Sequence, residues 1–320
     1  MRIQLRNLRS LAPFIGGVFT YGIYRILYSE AGINGIGRDF EAIILELRST
    51  DVLGGVDSIH GLLSWSVTGT FFILSFLGGV AVLLHILYEA SRGLSDLNRY
   101  LRFAVSLSVV AAIGFLTFSG NPFAVDSLNR VLENAFALHG IEGARILYDL
   151  STPMVLAVTV LLMVSAWATL KFDTASANDA VLTIKTRLRW LNRTLFVGAV
   201  VLVAGVVHAD AVHRLPSVLM IEVNADAWNE LIGALSASSG AIWTFLLLGI
   251  YLPSIVVLRL RVRALAEDSV EQRTPEHVEN WLKNHGLTVQ FPQMIAQVGA
   301  IISPFLVGGP ASPLIGLFGG

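Results

Sequence analysis

His208, Asp210 and His213 are the side chains in this sequence whose types and close spacing could do chemistry. Imidazole and carboxylate groups bind metal ions and transfer protons. On a helix, however, steps of two and three residues turn side chains by about 200° and 300°, so one metal ion cannot collect all three unless the helix unwinds. We therefore predict no metal or cofactor site here, and a solvated polar helix end at the membrane interface.

The estimated depth of Asp210 in the membrane suggests a second interpretation of this residue. Counting from Arg193 along a helix places Asp210 about 25 Å away, and counting from Arg9 places Arg25 about 24 Å away, both less than a hydrocarbon core of about 30 Å. Two charges at matching depth could form an ion pair inside the membrane, and we predict an Arg25–Asp210 pair on this basis. The alternative is that both side chains extend independently to the lipid headgroups.

Other candidate residues are isolated. His85 and Glu89 lie one helical turn apart, which favours an interfacial hydrogen bond, with proton transfer as the alternative. Pro253 lies within an apolar run and removes a backbone hydrogen bond there, so it is a candidate hinge, although such a kink more often only shapes packing.

Several classes of function lack any supporting pattern. The sequence has no HExxH motif, no Walker motif and no glycine-rich phosphate loop, and it contains no cysteine. Its net charge of -1 does not favour nucleic-acid binding. We therefore predict that the chain is not an enzyme, uses no cofactor and binds no nucleic acid.

Composition indicates a membrane protein. Hydrophobic residues make up 54% of the chain, charged residues only 14%, and the mean hydropathy is +0.68. Soluble domains carry about 25% charged residues. The predicted partner of this surface is therefore the lipid bilayer.

The order of apolar and charged segments predicts about six spans arranged as three hairpins. A span needs about 20 apolar residues. Four charge-free runs are long enough and two are weaker; the long runs are 61–84, 103–125, 150–170 and 231–258, and the weaker ones are 10–24 and 194–207.

Lysine and arginine are concentrated on one predicted side of the membrane. They cluster in segments 2–9, 92–102, 171–193 and 259–283, with few in the intervening loops. By the positive-inside rule, both termini are predicted to be cytoplasmic, and a multi-pass location in a bacterial inner (plasma) membrane is expected.

The connecting segments also have predicted structure. The outer loops are acidic and contain amphipathic helices over 39–47, 125–138 and 226–235, whereas the spans on the inner side continue as cytoplasmic helices. A short helix is expected from Pro275, ending at Gly286. The small residues 236–241 are expected to allow close helix approach.

The segment 286–320 has no charged residue, but it contains Pro304, Pro310 and Pro313. Because prolines interrupt helices, a straight spanning helix is not expected. We predict a segment docked at the membrane, with a re-entrant hairpin as the alternative.

Together these features predict an all-α polytopic transmembrane bundle. Residues 1–263 form the six-span domain, and 264–320 form a cytoplasmic helix and the tail. The expected function is an oligomeric channel, pore or transport component. The alternative is a non-catalytic anchor or sensor subunit that acts through a membrane partner.

Overall fold

The computed structural model describes Pro13 and residues 56–91, 131–135, 142–170, 177–219, 222–271, 273–288 and 291–308. All regular elements in these ranges are helical. In chain order they are α1 (Val56–Ser91), α2 (Glu142–Leu170), α3 (Ala177–Arg214), a 3-10 helix (Leu215–Leu219), α4 (Glu222–Ser269), α5 (Pro275–Asn284) and α6 (Phe291–Gly308).

Four of the described helices are long and apolar enough to cross a membrane. The qualifying stretches are Leu63–Ser91, Tyr148–Leu170, Asp179–Ser217 and Ala225–Ser269. They contain the predicted runs 61–84 (from residue 63 onward), 150–170, 194–207 and 231–258, so these predictions are confirmed as apolar helices. The predicted runs 10–24 and 103–125 lie outside the described residues, and the arrangement as six spans in three hairpins stays a prediction.

Helix α3 is the centre of the bundle, because it packs against α1, α2, α4 and α6. At one end Arg187, near the start of α3, reaches Ala90 and Ala168, near the ends of α1 and α2. Helices α1 and α2 are therefore parallel to each other and antiparallel to α3. We call this the arginine end. The opposite end, where His208 and His213 lie, is the histidine end.

Helix α6 lies along α4 and α3 in close contact. A Cβ atom added to Gly240 on α4 would collide with the carbonyl oxygen of Pro304 on α6. A Cβ added to Gly308 would likewise collide with the carbonyl oxygen of Ser236. The small residues of segment 236–241 thus bring two helix backbones together, as the sequence predicts. The order of these contacts shows that α6 is antiparallel to α4.

The proline in α6 does not stop the helix, which continues through Pro304 for one further turn. Proline has no N–H, so it cannot bond to the carbonyl of Ala300, four residues earlier. The hydroxyl of Ser303 donates to that carbonyl instead, at 2.8 Å. The expectation that Pro304 interrupts the helix is therefore wrong, and Pro310 and Pro313 lie outside the described residues.

The predicted short helix at Pro275 is confirmed as α5. The side chain of Thr274 accepts a hydrogen bond from the backbone of His277 and caps the first turn. At the other end Gly286 has φ +59°. The N–H groups of Gly286 and Leu287 bond to the carbonyls of Lys283 and Leu282, the pattern of a Schellman motif.

One predicted outer-loop helix is described in part. Residues 131–135 are helical, with Val131, Leu132 and Ala135 buried and Glu133 exposed. This is the amphipathic pattern expected for segment 125–138. The predicted amphipathic helix 39–47 lies outside the described residues, whereas segment 226–235 is the first part of α4.

The helix crossing at Gly240 gives a stability prediction. Gly240→Ala is expected to destabilise the protein by about 1–3 kcal/mol, because the new methyl group forces α4 and α6 apart. Gly233→Ala is the matched control, since an added Cβ there meets nothing within 4 Å and alanine is the better helix former. Thermal unfolding in detergent should show opposite signs for the two variants. A Gly240→Ala protein as stable as the control would contradict the close packing.

Candidate functional site

His208 is buried at the histidine end, with 2% of its surface exposed. Its ring stacks on Phe72 of α1, with 5.4 Å between ring centroids and an angle of 9° between the planes. Neither ring nitrogen has a hydrogen-bond partner among the described residues. The expectation of a solvated histidine is therefore wrong, because α1 packs over this part of α3.

Asp210 lies two residues after His208 in the sequence and is also buried. Its side chain is 0% exposed and accepts two hydrogen bonds from Arg214, at 2.9 and 3.3 Å. Arg214 lies one turn further along α3 and is 34% exposed. Asp210 thus has an arginine partner, as its burial requires. Arg25 lies outside the described residues, and the Arg25–Asp210 pair stays a prediction.

His213 faces another direction. Its ring meets Tyr148 of α2 edge-on at 6.0 Å, and its backbone carbonyl accepts a hydrogen bond of 2.7 Å from Trp228 of α4. His208 and His213 therefore contact different helices. Within the described ranges, no group of three His, Asp or Glu side chains is arranged to hold a metal ion. The ring contacts of His208 and His213 and the Trp228 hydrogen bond instead link α3 to α1, α2 and α4.

The remaining candidates stay separate from the histidine end. His85 is exposed on α1, and Glu89, one turn further on, is partly buried and already engaged in an interaction. Their mutual hydrogen bond stays a prediction. Pro253 lies inside α4, and the helix is continuous through it. Its role as a hinge also stays a prediction.

A polar group that the sequence analysis missed joins three helices inside the bundle. The side-chain oxygen of Asn192 on α3 accepts hydrogen bonds from Tyr251 of α4, at 2.8 Å, and from Gln297 of α6, at 3.1 Å. In addition, the backbone N–H of Phe305 donates to the Thr244 hydroxyl at 3.1 Å. Because apolar surroundings strengthen such bonds and penalise unpaired polar groups, these contacts fix the position of α6 against α3 and α4.

A second missed group closes the arginine end. Arg187 is 8% exposed, and its guanidinium donates to the carbonyls of Ala90 and Ala168, each at 3.1 Å. Arg261 of α4 donates to the carbonyl of Leu170, the last residue of α2. Helix C-termini leave carbonyls without partners and carry partial negative charge. Two arginines therefore cap α1 and α2.

The comparison with known proteins gives no match: no family model, no curated protein and no solved structure is significantly similar to this chain. The function must therefore be inferred from the chain's own chemistry.

Removal of the Arg187 guanidinium is expected to lower the free energy of unfolding. Arg187→Met leaves the Ala90 and Ala168 carbonyls without this donor, and the protein should lose about 2–4 kcal/mol of unfolding free energy. Arg187→Lys should recover only part of the loss, because an ammonium group lacks the planar fork that reaches two carbonyls. Arg263→Met is the control, since that side chain is 66% exposed. Equal melting temperatures for Arg187→Met and the control would exclude the capping role.

The Asp210–Arg214 pair gives an asymmetric prediction. Arg214→Leu strands a fully buried carboxylate and should cost about 3–5 kcal/mol, whereas Asp210→Leu leaves an arginine that can reach water and should cost less. A thermal-melt double-mutant cycle measures both losses and their coupling. A small loss for Arg214→Leu that becomes large when Arg25→Leu is added would identify Arg25 as the second partner of Asp210. Additive losses for Asp210 and Arg214 would rule out the pair.

Proposed function

We propose that the protein is a membrane-embedded channel subunit that forms a cation pore between several copies of the chain. The observation that carries this proposal is the position of α6. It is a charge-free helix held to α3 and α4 by one face, and its opposite face is exposed among the described residues. The exposed face contains Ile295, Val298, Gly299, Ile302 and Leu306.

The interior of the described bundle favours a pore between copies over a pore within one copy. Between α2, α3 and α4 there is a cavity of about 10 Å³, lined by residues such as Leu162, Leu195 and Leu247. This volume is at the lower limit for one water molecule. Close packing at Gly198, where an added Cβ would approach Leu162 to 2.8 Å, also leaves no room for a path.

The exposed face of α6 suits a gate. Apolar side chains in a narrow constriction exclude water and ions until the constriction widens. An added Cβ at Gly299 meets nothing within 4 Å, so another helix could approach closely there. At the histidine end the exposed acids Asp149, Asp226 and Glu230 would raise the local concentration of cations.

Helix α5 provides a route for a gating signal. Leu287, which links α5 to α6, packs with Ile184 of α3 and Val262 of α4 beyond the arginine end. Movement of α5 would therefore be transmitted to α6 through a short connection. The second candidate function is an anchor or sensor subunit. It is favoured by the same region, because α5 and the adjacent ends of α3 and α4 offer a docking surface for a partner.

We further propose the six-span topology with a cytoplasmic N-terminus. The cytoplasmic position of the C-terminus stays a prediction, because α6 runs from the arginine end toward the histidine end and residues 309–320 lie outside the described residues. The parallel direction of α1 and α2 supports the six-span topology, because α1 ends at the arginine end, α2 begins at the histidine end, and the sequence between them contains the apolar run 103–125. The arginine end would then face the cytoplasm, in agreement with the positive-inside rule.

Cysteine labelling tests the proposal on a chain that has no native cysteine. Ile295→Cys, Ile302→Cys and Leu306→Cys should react with a membrane-impermeant charged thiol reagent, and the reaction should reduce cation flux into liposomes. The lipid-exposed controls Leu252→Cys and Val256→Cys on α4 should not react. Lys283→Cys on α5 should react from the cytoplasmic side only.

Two outcomes would contradict the pore. If the α6 positions are as unreactive as the α4 controls, α6 faces lipid and the alternative of an anchor or sensor subunit is favoured. If the α6 positions react but cation flux is absent and unchanged by labelling, the exposed face of α6 is in contact with water but does not conduct ions.

A further inference from the structure

One face of α3 changes from cationic to apolar along its length. Arg189, Arg193, Phe196, Val200 and Val203 follow one another at steps of three and four residues, so they share one face of the helix. The first four of these side chains are exposed, and Val203 is partly buried. Arg189 lies closest to the arginine end. The sequence of α3 from Ala180 to Ala209 contains no acidic residue.

The two arginines on this face differ from their neighbours. Arg187 and Arg261 donate to backbone carbonyls, and Arg214 and Arg263 form ion pairs with acids on their own helices. For Arg189 and Arg193, no ion pair or hydrogen bond is found with the described part of the chain. Two exposed guanidinium groups on one face therefore remain available to bind an anion.

An apolar groove begins next to Arg193. Its floor is formed by Phe196, Ala199, Val200 and Val203 of α3, and its walls by Phe71 of α1 together with Ala300 and Ser303 of α6. Its volume is about 320 Å³. The groove lies along stretches that are long and apolar enough to cross a membrane, so in a bilayer it opens to the hydrocarbon.

We propose that this face of α3 binds one anionic phospholipid, with the phosphate on Arg189 and Arg193 and an acyl chain in the groove. Arg193 lies six residues beyond the capping residue Arg187, or about 9 Å along the helix, and a long arginine side chain at this depth extends back toward the headgroups. The site therefore places positive charge at the headgroup level and the apolar groove at the level of the acyl chains. This inference is independent of the proposed pore.

The chemistry of the groove selects a lipid over other anions. A free phosphate would use the arginines but leave the groove unoccupied. An acidic peptide would bury backbone N–H and C=O groups against apolar side chains without partners, which is costly. A phospholipid places its charge on the guanidinium groups and hydrocarbon on the apolar floor.

The test uses the full chain, delipidated in a neutral detergent. Phosphatidylglycerol and phosphatidylcholine with identical acyl chains are compared by native mass spectrometry. Wild type should retain phosphatidylglycerol in preference, by about fivefold per arginine and about 25-fold in total. R189Q/R193Q should lose this preference while its phosphatidylcholine binding stays unchanged. R263Q, which removes a paired arginine on α4, should keep the preference.

The groove is tested separately. Val200→Trp should reduce retention of both lipids without changing their ratio, whereas Val256→Trp, on the exposed face of α4, should leave both unchanged. Three results would overturn the proposal: equal retention of the two lipids by wild type, an unchanged preference in R189Q/R193Q, or complete competition by soluble glycerol phosphate at equal concentration. The last result would indicate a simple phosphate site.

Discussion

The bundle depends on the pairing of helix carbonyls at the arginine end. The carbonyls involved lie in the last described turns of α1 and α2, and leaving a carbonyl unpaired in apolar surroundings costs several kcal/mol. Arg187 bonds to α1 and α2 at once, and Arg261 bonds to α2 from α4. The relative height of all four long helices is therefore set by backbone chemistry at this end.

The histidine end is organised differently. Here the polar groups are paired within α3 or contact aromatic rings: Asp210 with Arg214, His208 with Phe72, and His213 with Tyr148. The ring contacts link α3 to α1 and to α2. The two ends thus apply complementary constraints, and the Asn192 contacts between them position α6.

The sequence predicts those features that depend on local pattern. Long apolar runs predict the long helices, and the Thr274, Pro275 and Gly286 signals predict α5. The arginine caps could not be predicted, because Arg187, Arg189 and Arg193 occur in one basic segment with the same local signal. Only the rotation of α3 in the bundle distinguishes the buried residue from the exposed ones. Asn192 was missed for the same reason, and His208 was expected to be solvated because the overlying α1 is distant in sequence.

The contact between Gly240 and Pro304 has a consequence for biogenesis. Helix α6 leaves the ribosome after α4, so the small-residue surface of α4 is synthesised before the helix that covers it. During that interval the surface is open to any neighbouring helix that can approach closely, including α4 of another nascent chain. The short connection through α5 keeps α6 near its own α4 at high effective concentration. Intramolecular docking is thereby favoured over pairing between chains.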